Sequence, residues 1–157
     1  MSAAELITLC TARGLTVTCA ESCTGGMVAA AITDIAGSSA MFERGFVTYS
    51  NPAKTEMLGV SPARLDAHGA VSEEVAAEMT TGALAAAGAS LAVAITGIAG
   101  PGGSEFKPEG RVCFGIIGPN TALRTETVEF GALGRAQVRQ AARDHALGLL
   151  LAAAQAA

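Results

Sequence analysis

LAVAITGIAGPGG, residues 91–103, sets five consecutive apolar residues ahead of a polar, glycine-rich loop. An apolar run without alternation marks a strand buried on both faces, and such a strand needs helices above and below a sheet that is at least partly parallel. Ligands in open α/β sheets sit beyond the carboxyl ends of strands, so the loop 96–101 is where a site is expected. A second junction of the same kind precedes it. Residues 15–20 read as a short strand and empty into Glu21-Ser22-Cys23-Thr24-Gly25-Gly26, and helical spacing over 27–36 follows, with Gly37 placed to end it. Two polar glycine loops at two strand ends suggest one shared pocket.

The flanking chain agrees with a layered α/β sandwich. Residues 3–13 predict a helix closed by Gly14; Ser72 is a helix cap, with Val71 as a hydrophobic staple, Glu73 and Glu74 in the first turn and Gly88 at the end. Residues 111–117 and 123–130 read as an antiparallel pair turning at Gly118-Pro119-Asn120, which makes the sheet mixed. A last helix runs from about 133 to the end with Arg135, Arg139 and Arg143 at four-residue spacing, either a solvated stripe or a source of one phosphate ligand. The segment through Pro62 and His68 reads as irregular, and 102–109 as a surface loop.

Composition narrows the function. A chain of 157 residues, half of them hydrophobic but only 4% aromatic, has the size of a single domain (1–157) with an Ala, Val, Ile and Leu core. Its net charge of −4 speaks against a nucleic-acid surface. Cys10, Cys19, Cys23 and Cys113 lack the spacing of a zinc or disulfide framework. No signal peptide or membrane span is expected, which places the chain in the cytoplasm. No metal and no cofactor are expected either.

Residues 37–54, GSSAMFERGFVTYSNPAK, hold the candidate catalytic groups. With Asn51 as N-cap and Pro52 opening a short helix, Lys54 falls in the first turn, where the helix dipole disfavours its ammonium form. Tyr49 lies just upstream, and Ser38 and Ser39 offer hydroxyls for such a base to activate. The same residues also read as turn chemistry, an edge aromatic and a solvated lysine. In a straight strand over 40–49, Ser39 and Tyr49 would lie about 30 Å apart. Residues 39–43 must then fold back, or a second subunit must complete the site. The two histidines, His68 and His145, have no evident partners for a Ser-His-Asp triad, which leaves acyl transfer or amide hydrolysis by a serine with a lysine or tyrosine base.

Four strings, TCAESCTGG (18–26), DIAGSSAMFERGFVTYSNPAK (34–54), HGAVSEEVA (68–76) and ITGIAGPGGSEFKPEG (95–110), resemble the CinA C-terminal domain family over nearly the whole chain. The resemblance implies an α/β domain that hydrolyses the carboxamide of nicotinamide mononucleotide. It assigns the catalytic roles to Ser39, Tyr49 and Lys54. Nucleotide binding falls to Glu21, Ser22, Thr24, Gly25, Gly26 and Ser38 on one side and Thr96, Gly97, Ile98, Ala99 and Gly100 on the other, with Arg139. A homo-oligomer acting on a small-molecule substrate is expected. The competing class is a catalytically silent module that binds nucleotides or protein partners.

Overall fold

A computed structural model describes residues 2–157. Five strands form one sheet in the order β2-β1-β3-β4-β5, where β1 is Val17–Glu21, β2 Phe42–Val47, β3 Leu91–Gly97, β4 Arg111–Gly118 and β5 Thr121–Glu129. The first three are parallel, while β4 and β5 run antiparallel to their neighbours. β1 and β3 are buried along almost their whole length, as their unalternating sequences require. β2 and β5 are the two edges, both largely exposed.

Helices cover both faces. On one, α1 (Ser2–Arg13), α2 (Met27–Thr33) and α6 (Arg135–Ala156) pack on Val17, Cys19, Leu91, Val93 and Ile95. On the other, α3 (Asn51–Leu58), α4 (Pro62–His68) and α5 (Glu73–Ala87) meet the opposite side chains, among them Ala20 and Ala94. The alternation of large and small residues along β1 and β3 therefore sets how closely each layer approaches. No helix among the described residues is long and apolar enough to cross a membrane.

Glycine makes the second layer tight. At Gly82, in the middle of α5, an added Cβ would lie 1.9 Å from the Leu58 carbonyl oxygen at the end of α3. A glycine inside a helix ordinarily costs about 1 kcal/mol against alanine. Here the clash with a backbone atom outweighs that gain, since overpacking costs about 1–3 kcal/mol. Gly82→Ala should lower Tm by about 5 °C in a thermal melt; a rise would contradict the packing described.

Several local expectations need correction. The cap of α3 is Ser50, whose Oγ accepts from the Ala53 N–H at 3.1 Å, and Asn51 is already helical. The segment through Pro62 and His68 is helical, capped by Ser61 with Pro62 in the first turn. α2 ends at Thr33, and Gly37 (φ 89°) instead precedes a short 3-10 turn, Ser38–Ala40. Residues 39–43 do not fold back as a helical turn: β2 leaves that 3-10 turn at Phe42 and continues to Val47, paired with β1 from Val17 to Glu21 with one register shift at Glu43.

Candidate active site

Parallel pairing of β2, β1 and β3 brings their carboxyl ends to one edge of the sheet. β1 connects outward to β2 through α2, and the chain then crosses beneath the other face to β3, so the crevice between β1 and β3 is a topological switch point. A cavity of about 340 Å³ opens there, within the range of small-molecule sites. Ser22 and Cys23 from the end of β1, Tyr49 and Lys54 from the β2–α3 junction, and Thr96 through Glu105 from the end of β3 line it, with Arg135 from α6.

Lys54 is among the largest fully buried side chains of the described residues, only 1% exposed. Its Nζ lies 3.0 Å from Ser22 Oγ, 2.7 Å from the Thr48 carbonyl oxygen and 3.3 Å from that of Tyr49. The register explains the meeting: Glu21 pairs with Val47, so the residues that follow, Ser22 and Thr48, emerge side by side. Burial pushes the Lys54 amine down from 10.5 to about 8. A neutral amine fits its three partners fully, with two N–H groups for the two carbonyls and a lone pair for the Ser22 hydroxyl. The ammonium form donates to all three.

The neighbouring thiol is not activated. Cys23 also lines the cavity, but burial pushes it up to about 11, so it stays protonated at neutral pH. Gly97 keeps β3 close to this loop: an added Cβ would meet Cys23 Sγ at 3.1 Å and Val112 Cγ2 at 2.7 Å.

Of the residues singled out in the sequence, Ser22, Tyr49, Lys54, Thr96, Gly97, Ile98, Ala99 and Gly100 share this cavity. The phenol of Tyr49 does not face Lys54; its hydroxyl accepts from Arg135 Nη2 at 2.9 Å, and only its carbonyl meets the amine. Thr96 gives its hydroxyl hydrogen to the Ala70 carbonyl. Ser39 is not brought to Lys54 within one chain. It sits before the first residue of β2, whereas Lys54 bonds to Thr48 beyond the last, a separation of about 20 Å along the strand. Ser38 is buried in the same 3-10 turn, at the far end of the sheet from the cavity.

The remaining residues form the support of the loop and not its lining. Glu21 is buried, and its carboxylate accepts from the N–H groups of Gly26 (3.2 Å), Val28 (3.0 Å) and Ala29 (3.0 Å). It thereby occupies the anion site at the start of α2 that the sequence left open for a ligand. Thr24 is buried, and Gly25 (φ 59°) and Gly26 (φ 111°) make the turn into that helix. Arg139 donates to the Cys23 and Thr24 carbonyls at 3.0 and 3.2 Å, tying this turn to α6. Arg135, one turn earlier on the same helix, is the arginine at the cavity. The surface loop over 102–109 also contributes, since Gly102, Gly103, Ser104 and Glu105 line the opening.

Comparison with known proteins adds to this geometry. The model of the CinA C-terminal domain family matches residues 1–154. The chain is similar to the nicotinamide-nucleotide amidohydrolase PncC of Enterobacter agglomerans, at 58% identity over 132 residues, 83% of this chain and 80% of that one. With the PncC of Escherichia coli strain K12 it shares 69% identity over 104 residues, 66% of this chain but 63% of the relative, slightly less than two thirds. The crystal structure of the competence/damage inducible protein CihA from Agrobacterium tumefaciens superposes with a TM-score of 0.93 at 48% identity, covering 96% of this chain and 92% of that one.

Proposed function

This chain belongs to the CinA C-terminal domain family, and from that premise we propose that it hydrolyses the carboxamide of nicotinamide mononucleotide to nicotinate mononucleotide and ammonia. The relatives' names supply the substrate. The observation that carries the chemistry is the 3.0 Å contact between the buried Lys54 Nζ and Ser22 Oγ at the floor of the cavity.

In this mechanism Ser22 is the nucleophile, in place of Ser39. Neutral Lys54 takes the Ser22 proton as Oγ bonds to the carboxamide carbon, and the resulting ammonium returns a proton to the nitrogen as the C–N bond breaks and ammonia leaves. Water then attacks the ester, again giving a proton to Lys54, and the carboxylate departs as Ser22 recovers its hydrogen. The Thr48 and Tyr49 carbonyls hold the amine throughout. In this reading the developing oxyanion falls to backbone N–H groups of the two loops that line the cavity. Nothing in these steps calls on a second copy of the chain.

The test is direct. Purified protein incubated with nicotinamide mononucleotide should release ammonia and nicotinate mononucleotide in equal amounts. Binding of the nucleotide with no ammonia released would favour the silent module.

A further inference from the structure

Arg135 opens α6 behind Gly134 and lines the cavity, where its Nη2 donates to the Tyr49 hydroxyl at 2.9 Å and its Nη1 to the Gly100 carbonyl at 2.6 Å. Both partners are neutral. Arg44, Arg64, Arg111, Arg124 and Arg143 each pair with a carboxylate. Among the described residues Arg135 has no such partner, and two contacts leave further N–H donors of its fork for a ligand. The other charged groups on the lining are Lys54, engaged at the reacting end, and Glu105, whose carboxylate lies against Gly69. Glu109 is close by, its carboxylate accepting from the Gly102 and Gly134 N–H groups, but it makes no ion pair with Arg135, whose remaining donors stay available at the cavity. That arrangement suits an anion.

Tyr49 links the two cations of the cavity lining: its carbonyl meets Lys54 Nζ and its hydroxyl meets Arg135. In nicotinamide mononucleotide the phosphate is separated from the carboxamide by the ring and the ribose. Resting on the amidohydrolase reading above, we infer that Arg135, with the Tyr49 hydroxyl beside it, binds the substrate's phosphate. Arg139 does not line the cavity; its Nε and Nη2 tie down the Cys23 and Thr24 carbonyls instead.

Two measurements test the assignment. The first compares kcat/KM for nicotinamide mononucleotide with that for nicotinamide riboside, which lacks the phosphate. Arg135→Gln should lower that ratio about 100-fold, chiefly through KM for the nucleotide, as expected for lost charge-assisted hydrogen bonds. Arg135→Lys, which keeps the charge but not the fork, should fall between. An equal loss on both substrates would mean a purely structural role and would overturn the assignment. The second measurement is calorimetric binding of ribose 5-phosphate, which needs no turnover. Wild type should bind it and Arg135→Gln should not; retained binding in the variant, or none in wild type, would also overturn it. If neither substrate is hydrolysed, the amidohydrolase reading fails by itself and the calorimetry still decides the anion site.

Discussion

Lys54→Met should abolish turnover without unfolding the protein. Removing a positioned base that is also the proton donor to the leaving group should lower kcat about a thousandfold or more. Stability should move the other way. The amine is pushed from 10.5 to about 8 by burial, so at neutral pH the folded state carries a desolvated charge that the unfolded state leaves in water. At 1.36 kcal/mol per unit the penalty is at most about 3 kcal/mol, and the carbonyls of Thr48 and Tyr49, which favour the ammonium, offset part of it.

The sign follows from proton counting. Between about pH 8 and 10.5 the unfolded lysine holds a proton that the folded one has lost, so wild-type stability rises with pH across that window and the full penalty stands below it. At pH 7 the Met variant should therefore melt no lower than wild type, and its advantage should shrink as pH climbs from 8 to 10.5. The same titration governs catalysis, because only neutral Lys54 accepts the Ser22 proton: kcat/KM should rise with pH up to about 8 and then level. A variant that melts several degrees lower at every pH would mean that Lys54 is a structural cation.

The layered fold was legible because its signals are local. The unbroken apolar run before Thr96, the cap at Ser72 and the paired strands around Pro119 each announce their element within a few residues. α4 carried only part of its signal: Ser61-Pro62 is a cap followed by a helix-opening proline, but Leu65 is its only buried apolar residue, so no periodicity supported it. Which of Arg135 and Arg139 meets the cavity was not legible either. Four-residue spacing puts both on one face of α6, and only the height of that helix against the sheet separates a cavity residue from one that ties down the 23–24 carbonyls.

Ser22, the nucleophile of the proposed mechanism, was obscured for a related reason. Ser38 and Ser39 are close to Lys54 in sequence, but β2 lies between them and holds them at its opposite ends. Ser22 is 32 residues from Lys54, yet the β1–β2 register makes it a neighbour. A signal existed. In a parallel pair the residues just beyond both carboxyl ends lie together, and Ser22 directly follows β1 as Thr48 follows β2. The anchoring role of Glu21 was not legible either: the resemblance gives it to nucleotide binding, and only the three helix N–H groups on its carboxylate show it held within the fold.

Ser22→Ala should therefore remove the reaction itself. Loss of a nucleophile that acts as a unit with its base ordinarily costs about four to six orders of magnitude in kcat. The substitution deletes one hydroxyl, and neither the Lys54 contacts to Thr48 and Tyr49 nor the Glu21 anchor depends on it. The variant should still fold and bind nucleotide. Ser39→Ala, at the exposed 3-10 turn, should change turnover less than about twofold. Ammonia release from nicotinamide mononucleotide by these two variants, measured side by side with wild type, is the decisive comparison. Silence from Ser22→Ala with near wild-type release from Ser39→Ala is the expected result, and sustained release from Ser22→Ala with loss in Ser39→Ala would contradict the Ser22–Lys54 site.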